Sequence, residues 1–145
     1  MTTAVRRVRC DALPDLPQAS WTHALAIGNE LVLSGQTGHP ATRAAAEAGT
    51  PLGAYAQTLV VLNKLRALLE AAGGGVHNIV KLVVYLTDIA DKDEVGRARR
   101  DFFAAASQST YPASTLVAVS ALVFPELRVE IDAQARLDVD LRLAA

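Results

Sequence analysis

Several kinds of residue are scarce in this chain, and each scarcity excludes something. Cys10 is the only cysteine, so neither an internal disulfide nor a zinc ribbon can form, and the count fits a reducing compartment. Aromatic residues make up 5%, with Trp21 the single tryptophan. Lysine is confined to Lys64, Lys81 and Lys92, a bias that, beside so many alanines, reflects a GC-rich genome more than a function. Neither sign of charge dominates: 14 Lys and Arg face 15 Asp and Glu, a formal net charge of -1. No overall field therefore draws the chain to nucleic acid or to an anionic membrane. The apolar stretches at residues 59–62 and 79–86 are too short to span a bilayer. Arg6, Arg7 and Arg9 are not followed by the apolar run of a signal peptide. The expectation is a cytoplasmic protein.

What is present is ordinary globular material. Hydrophobic residues make up 51% and charged residues 20% of 145 residues, enough for one self-sufficient core. A single domain over residues 1–145 is expected. Strands are expected at residues 5–10, 21–27 and 30–34, the last two joined by the turn dipeptide Gly28-Asn29. Residues 36–51 form a long loop with a helical turn at 44–48, and loops of that length are often functional. Tyr55, Leu59, Leu62, Leu65, Leu69 and Ala72 recur at helical spacing over 52–72, and Gly73-Gly74-Gly75 ends that helix. A strand follows at 78–87. Asp91 and Glu94 have the spacing of a capping box for a second helix, with Val95, Ala98, Phe102 and Ala106 on one face. A strand at 112–122 and a long alternating strand at 127–139 complete the chain.

The pattern implies a mixed α+β sheet of about six strands with two helices on one face. In the strand at 78–87, Val80, Leu82, Val84 and Leu86 share one face, while Ile79, Val83 and Tyr85 make the other apolar too. The strand at 112–122 also reads as apolar on both sides. An apolar face without helices needs another cover, which implies a homo-oligomer.

Generic chemical motifs are absent. No phosphate loop, nucleotide-binding turn or nucleophile elbow occurs, and His23, His39 and His77 lie too far apart in sequence to argue for a metal. Two segments carry a resemblance instead. One is Gly28-Asn29-Glu30-Leu31-Val32-Leu33-Ser34-Gly35-Gln36. The other is Tyr111-Pro112-Ala113-Ser114-Thr115, leading across a turn to Val129-Glu130-Ile131-Asp132-Ala133. Gln57-Thr58, Asn63, Gly73, Lys81 and Thr87-Asp88 stand between them. In this order and spacing they resemble the RidA (YjgF/YER057c/UK114) family of reactive-intermediate deaminases, over nearly the whole chain.

That resemblance implies a chorismate-mutase-like fold and a homotrimer with a cleft at each subunit interface. It also implies hydrolysis of 2-imino acids or their enamines to 2-oxo acids and ammonium, with a small molecule as the only ligand and neither metal nor other cofactor. Glu130 matches the family's acid/base glutamate; periodicity alone makes it one polar position of an alternating strand. Ser114 stands where the family places an arginine after Pro-Ala. A hydroxyl cannot replace a guanidinium fork, and losing such a pair costs on the order of 2 kcal/mol of carboxylate binding. Trp21 replaces the family's entrance tyrosine. Tyr111, Ser34, Gly35 and Gln36 are further candidates to line the cleft. Two open questions are whether His23, which could titrate near neutral pH, and Arg128, two residues from Glu130, reach it. The alternative is a ligand-binding or regulatory trimer that has lost the deaminase. Ribonuclease activity, another family association, finds no basic groove with interleaved aromatics.

Overall fold

A computed structural model describes all residues 1–145. Six strands form one sheet in the order β1-β2-β3-β6-β4-β5. They are β1 (Val5–Arg7), β2 (Ala24–Ile27), β3 (Glu30–Gln36), β4 (Ile79–Leu86), β5 (Ala113–Ala118) and β6 (Val129–Arg136). All neighbours are antiparallel except β4 and β5, which are joined through a helix and run parallel. Three α-helices occur: α1 (Ala41–Glu47), α2 (Ala54–Ala71) and α3 (Lys92–Ala105). The long α2 and α3 correspond to the two expected helices, and α1 is a short addition inside the long loop.

The turn chemistry follows the sequence. Gly28 takes a φ of 58° in the β2–β3 hairpin, and Gly73 takes 90° beyond the end of α2. The Gly74 N–H closes the cap by donating to the Leu69 carbonyl at 2.8 Å.

The core lies between α2, α3 and one face of the sheet. Val61, Leu62, Leu65, Leu68 and Leu69 of α2 meet Leu31, Leu33, Leu82, Val84, Leu86, Val129 and Ile131, all buried. The buried stripe of α2 is rotated from the expected one. Tyr55 and Leu59 are only half-buried, while Gln57 and Thr58 are completely enclosed. On α3 the buried aromatic pair is Phe102 and Phe103, and Ala106 is exposed past the helix end.

Four further expectations are corrected. Ile79 points into the core, because the register with β6 slips between Ile79 and Lys81 and so puts Ile79 on the same face as Leu82. Asp91 caps nothing with its side chain. Its carboxylate instead accepts two hydrogen bonds from Arg128, and Asp88 does the capping one turn earlier by accepting from the Ala90 N–H. Strand β5 is an edge strand of which only Leu116 packs on the core; its other residues are exposed. Strand β6 ends at Arg136, where Leu137 turns away to bond Asn29.

The long loop is fastened rather than free. The Lys64 ammonium donates to the carbonyls of Thr37 and His39 at 2.7 and 2.6 Å, and burial lowers its pKa below the usual lysine range. Arg43 bonds Glu126 at 2.6 Å and lies 4.7 Å from the centroid of Phe124. The other face of the sheet carries no helix. Val32 and Val117 are exposed there, beside Val83, Tyr85, Glu130, Asp132 and Gln134. No helix is long and apolar enough to cross a membrane.

Strand β6 is central and its inward side chains are completely enclosed. Ile131→Ala is expected to destabilise the fold by about 2–5 kcal/mol, read as a lowered urea midpoint with little change in slope.

Candidate active site

Alternation along β6 puts Val129, Ile131, Ala133 and Ala135 under the helices and turns Glu130, Asp132 and Gln134 to the open face. Glu130 is half-buried and makes no side-chain hydrogen bond or ion pair within the chain. It packs against Gly35, where an added Cβ would lie 3.0 Å from Oε2 of Glu130. A side chain at position 35 would therefore displace the carboxylate. The burial raises the Glu130 pKa above the ordinary carboxylate value, and the neighbouring Asp132 charge raises it further. Asp132 accepts a hydrogen bond from the Tyr85 hydroxyl at 3.0 Å, and that bond holds the phenol pKa above its usual value.

A separate polar chain gathers at the end of β3. Gln36, buried, donates to Nδ1 of His23 at 3.2 Å and to the Ser34 carbonyl at 3.3 Å. Acceptance at Nδ1 leaves the His23 proton on Nε2, which faces the Pro14 carbonyl at 3.4 Å. His23 is thus a buried support beneath the loop. The Ser34 hydroxyl donates to the Thr22 carbonyl. Trp21 meets the His23 ring edge to face at 5.1 Å and is half exposed. With Arg7, Leu16, Pro17 and Thr22 it lines a shallow cleft of about 430 Å³. These contacts link Trp21, His23, Ser34 and Gln36; Gln36 pairs with the core residue Ile131 and lies on the helix side, so of these candidates Gly35 is the one that meets Glu130.

The other two candidates stand apart. Ser114 pairs in register with Leu82, a core residue, so it lies at the helix-side edge of β5, the face opposite Glu130. Tyr111 precedes β5 and packs edge to face on Phe103 at 5.6 Å. Within one chain, neither meets Glu130. Arg128 does not supply the missing cation, because its guanidinium is engaged with Asp91 at 2.8 and 3.0 Å.

Comparison with known proteins gives this arrangement a context. The family model described as Endoribonuclease L-PSP matches residues 13–137. The chain belongs to this family, the RidA/YjgF family. A goat protein named 2-iminobutanoate/2-iminopropanoate deaminase is 31% identical over 136 residues, covering 93% of each chain. An Escherichia coli protein of the same name is 33% identical over 109 residues, 75% of this chain and 80% of its own. Among solved structures, a Pseudomonas aeruginosa protein described as of unknown function superposes with a TM-score of 0.96 at 67% identity, covering 99% of this chain and all of its own. The Escherichia coli YjgF gene product superposes at 0.77 with 28% identity, over 90% and 98% of the two chains. At family level the chain thus stands among RidA-type imine deaminases.

Reasoning from sequence named Gln57 and Tyr85 without giving either a place near Glu130, and it did not pair Arg128 with Asp91. Gln57 carried one signal, an amide in the first turn of a helix whose other inward positions, Thr58 apart, are apolar. Tyr85 carried none, because its place opposite Glu130 is set by the register of β4 with β6.

The raised Glu130 pKa has a consequence for stability. Between the unfolded and the folded pKa the native state binds the extra proton, so stability falls as pH rises through that window. Glu130→Gln removes this loss. The substitution is expected to raise the urea midpoint at pH 7 and to leave it unchanged well below the ordinary carboxylate pKa, as read from unfolding curves across pH.

Proposed function

We propose that this protein hydrolyses or tautomerises an imine or enamine of a small organic molecule, with Glu130 as the acid/base, in clefts between the subunits of a homotrimer. The observation that carries the reading is Glu130 itself: a half-buried carboxyl without a cation, pressed against the Gly35 backbone, with its pKa raised. A carboxyl in that state can take and return a proton nearer to neutral pH than an ordinary one, which general acid/base work requires. It would activate water toward the electrophilic carbon of the C=N bond and then protonate the departing nitrogen. Neighbouring backbone groups of Ser34 and Gly35 would border the reacting carbon.

Assembly is argued from the faces of the sheet. The helix-free face exposes Val32 and Val117 beside the half-buried Val83 and Tyr85. A second copy placed there would cover them and bring its own Tyr111 and Ser114 edge near Glu130. The charged neighbour of Glu130 on that face is a second carboxylate, Asp132, which disfavours a phosphate at that point and supports a small ligand over RNA.

Ser114 bears on the substrate. Without the arginine fork, a carboxylate directly beside the imine is poorly held. The reading therefore favours substrates lacking that group or carrying it further off, as muconate-type enamines do. The same serine is the observation that favours the second reading, a trimer that binds a small ligand without turning it over.

Sedimentation equilibrium is expected to give three times the chain mass at micromolar concentration; a monomer there counts against the interface cleft. Hydrolysis of 2-iminopropanoate is expected to be weak in the natural protein and raised by Ser114→Arg. Glu130→Gln is expected to lower that raised turnover by about 10²- to 10⁴-fold. Full activity in the Ser114→Arg, Glu130→Gln double variant would move the chemistry away from Glu130.

A further inference from the structure

Glu130 sits at the second position of β6, and the residues leading into that strand are gripped from two sides. On one side is Gln57, completely buried on α2. Its amide nitrogen donates to the carbonyls of Leu52 at 2.9 Å and Glu126 at 3.0 Å, and its oxygen accepts the backbone N–H of Arg128 at 2.9 Å. Both donors and the acceptor oxygen are thus spent on main chain outside the helix. On the other side the Arg128 guanidinium forks onto Asp91, itself buried. A helix whose buried face is otherwise apolar apart from Thr58 gains nothing in packing from an enclosed amide, and the amide is tolerable only because every bond is made.

We propose that Gln57 is a positioning residue, which by holding Glu126 and Arg128 sets the height at which β6 presents the Glu130 carboxylate over Gly35. The role matters because the fit there is close. A Cβ on Gly35 would already touch Oε2 of Glu130, so a shift of a fraction of an ångström in the strand changes how far the carboxylate is buried. The proposal rests on Glu130 being the acid/base group, but its test reads the carboxyl directly.

That test is a carbon-detected NMR titration of the Glu130 carboxyl in the full-length protein. It compares the natural sequence with Gln57→Leu, Gln57→Asn and Thr58→Val. Thr58 is the matched control: equally enclosed, next along the same helix, with its hydroxyl spent on Ala54 of that helix at 2.7 Å. The Glu130 midpoint is expected above the ordinary carboxylate value in the natural protein and in Thr58→Val. In both Gln57 variants it is expected to fall toward the ordinary value as the carboxylate moves off Gly35 into water. Asp132 and Tyr85, the titratable groups facing Glu130, are followed in the same samples to show that the change is local to Glu130. Where an imine substrate is turned over, kcat is expected to fall on the order of tenfold or more at nearly constant KM.

If Gln57→Leu does not fold, Gln57→Asn, which keeps both amide functions one methylene shorter, carries the comparison. An unchanged Glu130 midpoint in a folded Gln57 variant overturns the proposal. So does an equal fall in Thr58→Val, or failure of both Gln57 variants to fold, which would make the residue purely structural. A shifted midpoint in a protein that hydrolyses no imine would uphold the positioning role and remove the deaminase reading instead.

Discussion

The alternation of β6 is the constraint on which the rest of the structure depends. It is an inner strand with β3 on one side and β4 on the other, and every second side chain is enclosed beneath α2 and α3. A slip of one residue would drive Glu130 and Asp132 into the core and put Ile131 in water, which no chain of ordinary marginal stability could absorb. The same packing that holds the strand in register therefore dictates which carboxylates face outward. The enclosed core and the outward carboxylates occupy opposite faces of eight residues.

Electrostatics immediately around Glu130 is one-sided, although Lys81 and Arg136 stand further along the same face. Arginines near the start of β6 are already paired, Arg43 with Glu126 and Arg128 with Asp91. Glu130 keeps only a like-charged neighbour, which is why burial and Asp132 act on it in the same direction. Arg128 is near in sequence and far in effect, because its fork satisfies a buried carboxylate that would be costly to leave alone. The site relies on backbone from β3 and on a carboxyl held partly out of water, with no guanidinium from its own chain.

Much of the fold could be read from residues alone, and the reasons are local. Gly28 and Gly73 mark places where φ is positive, the leucines of α2 keep helical period, and β6 alternates without interruption. What escaped was set by pairs distant in sequence. The bulge at Ile79 follows from its register with β6, which a list of β-branched residues cannot reveal. Asp91 has the spacing of a cap, yet a bidentate arginine 37 residues away outcompetes a backbone amide for its carboxylate. The bonds of Gln57 reach Glu126 and Arg128, about seventy residues on, which helical periodicity cannot show.

The division runs through the candidate site as well. Sequence alone determined the two long helices, the turns, the polarity of the two faces of β6 and the family resemblance that singled out Glu130, because those depend on periodicity and on motifs in fixed order. Only the tertiary structure decided that Gly35 lies against Glu130, that Arg128 is unavailable, and that Ser114 and Tyr111 stand apart from Glu130 within one chain. Those facts depend on which strands become neighbours and on the register between them. Both are fixed by burying apolar faces that lie far apart along the chain.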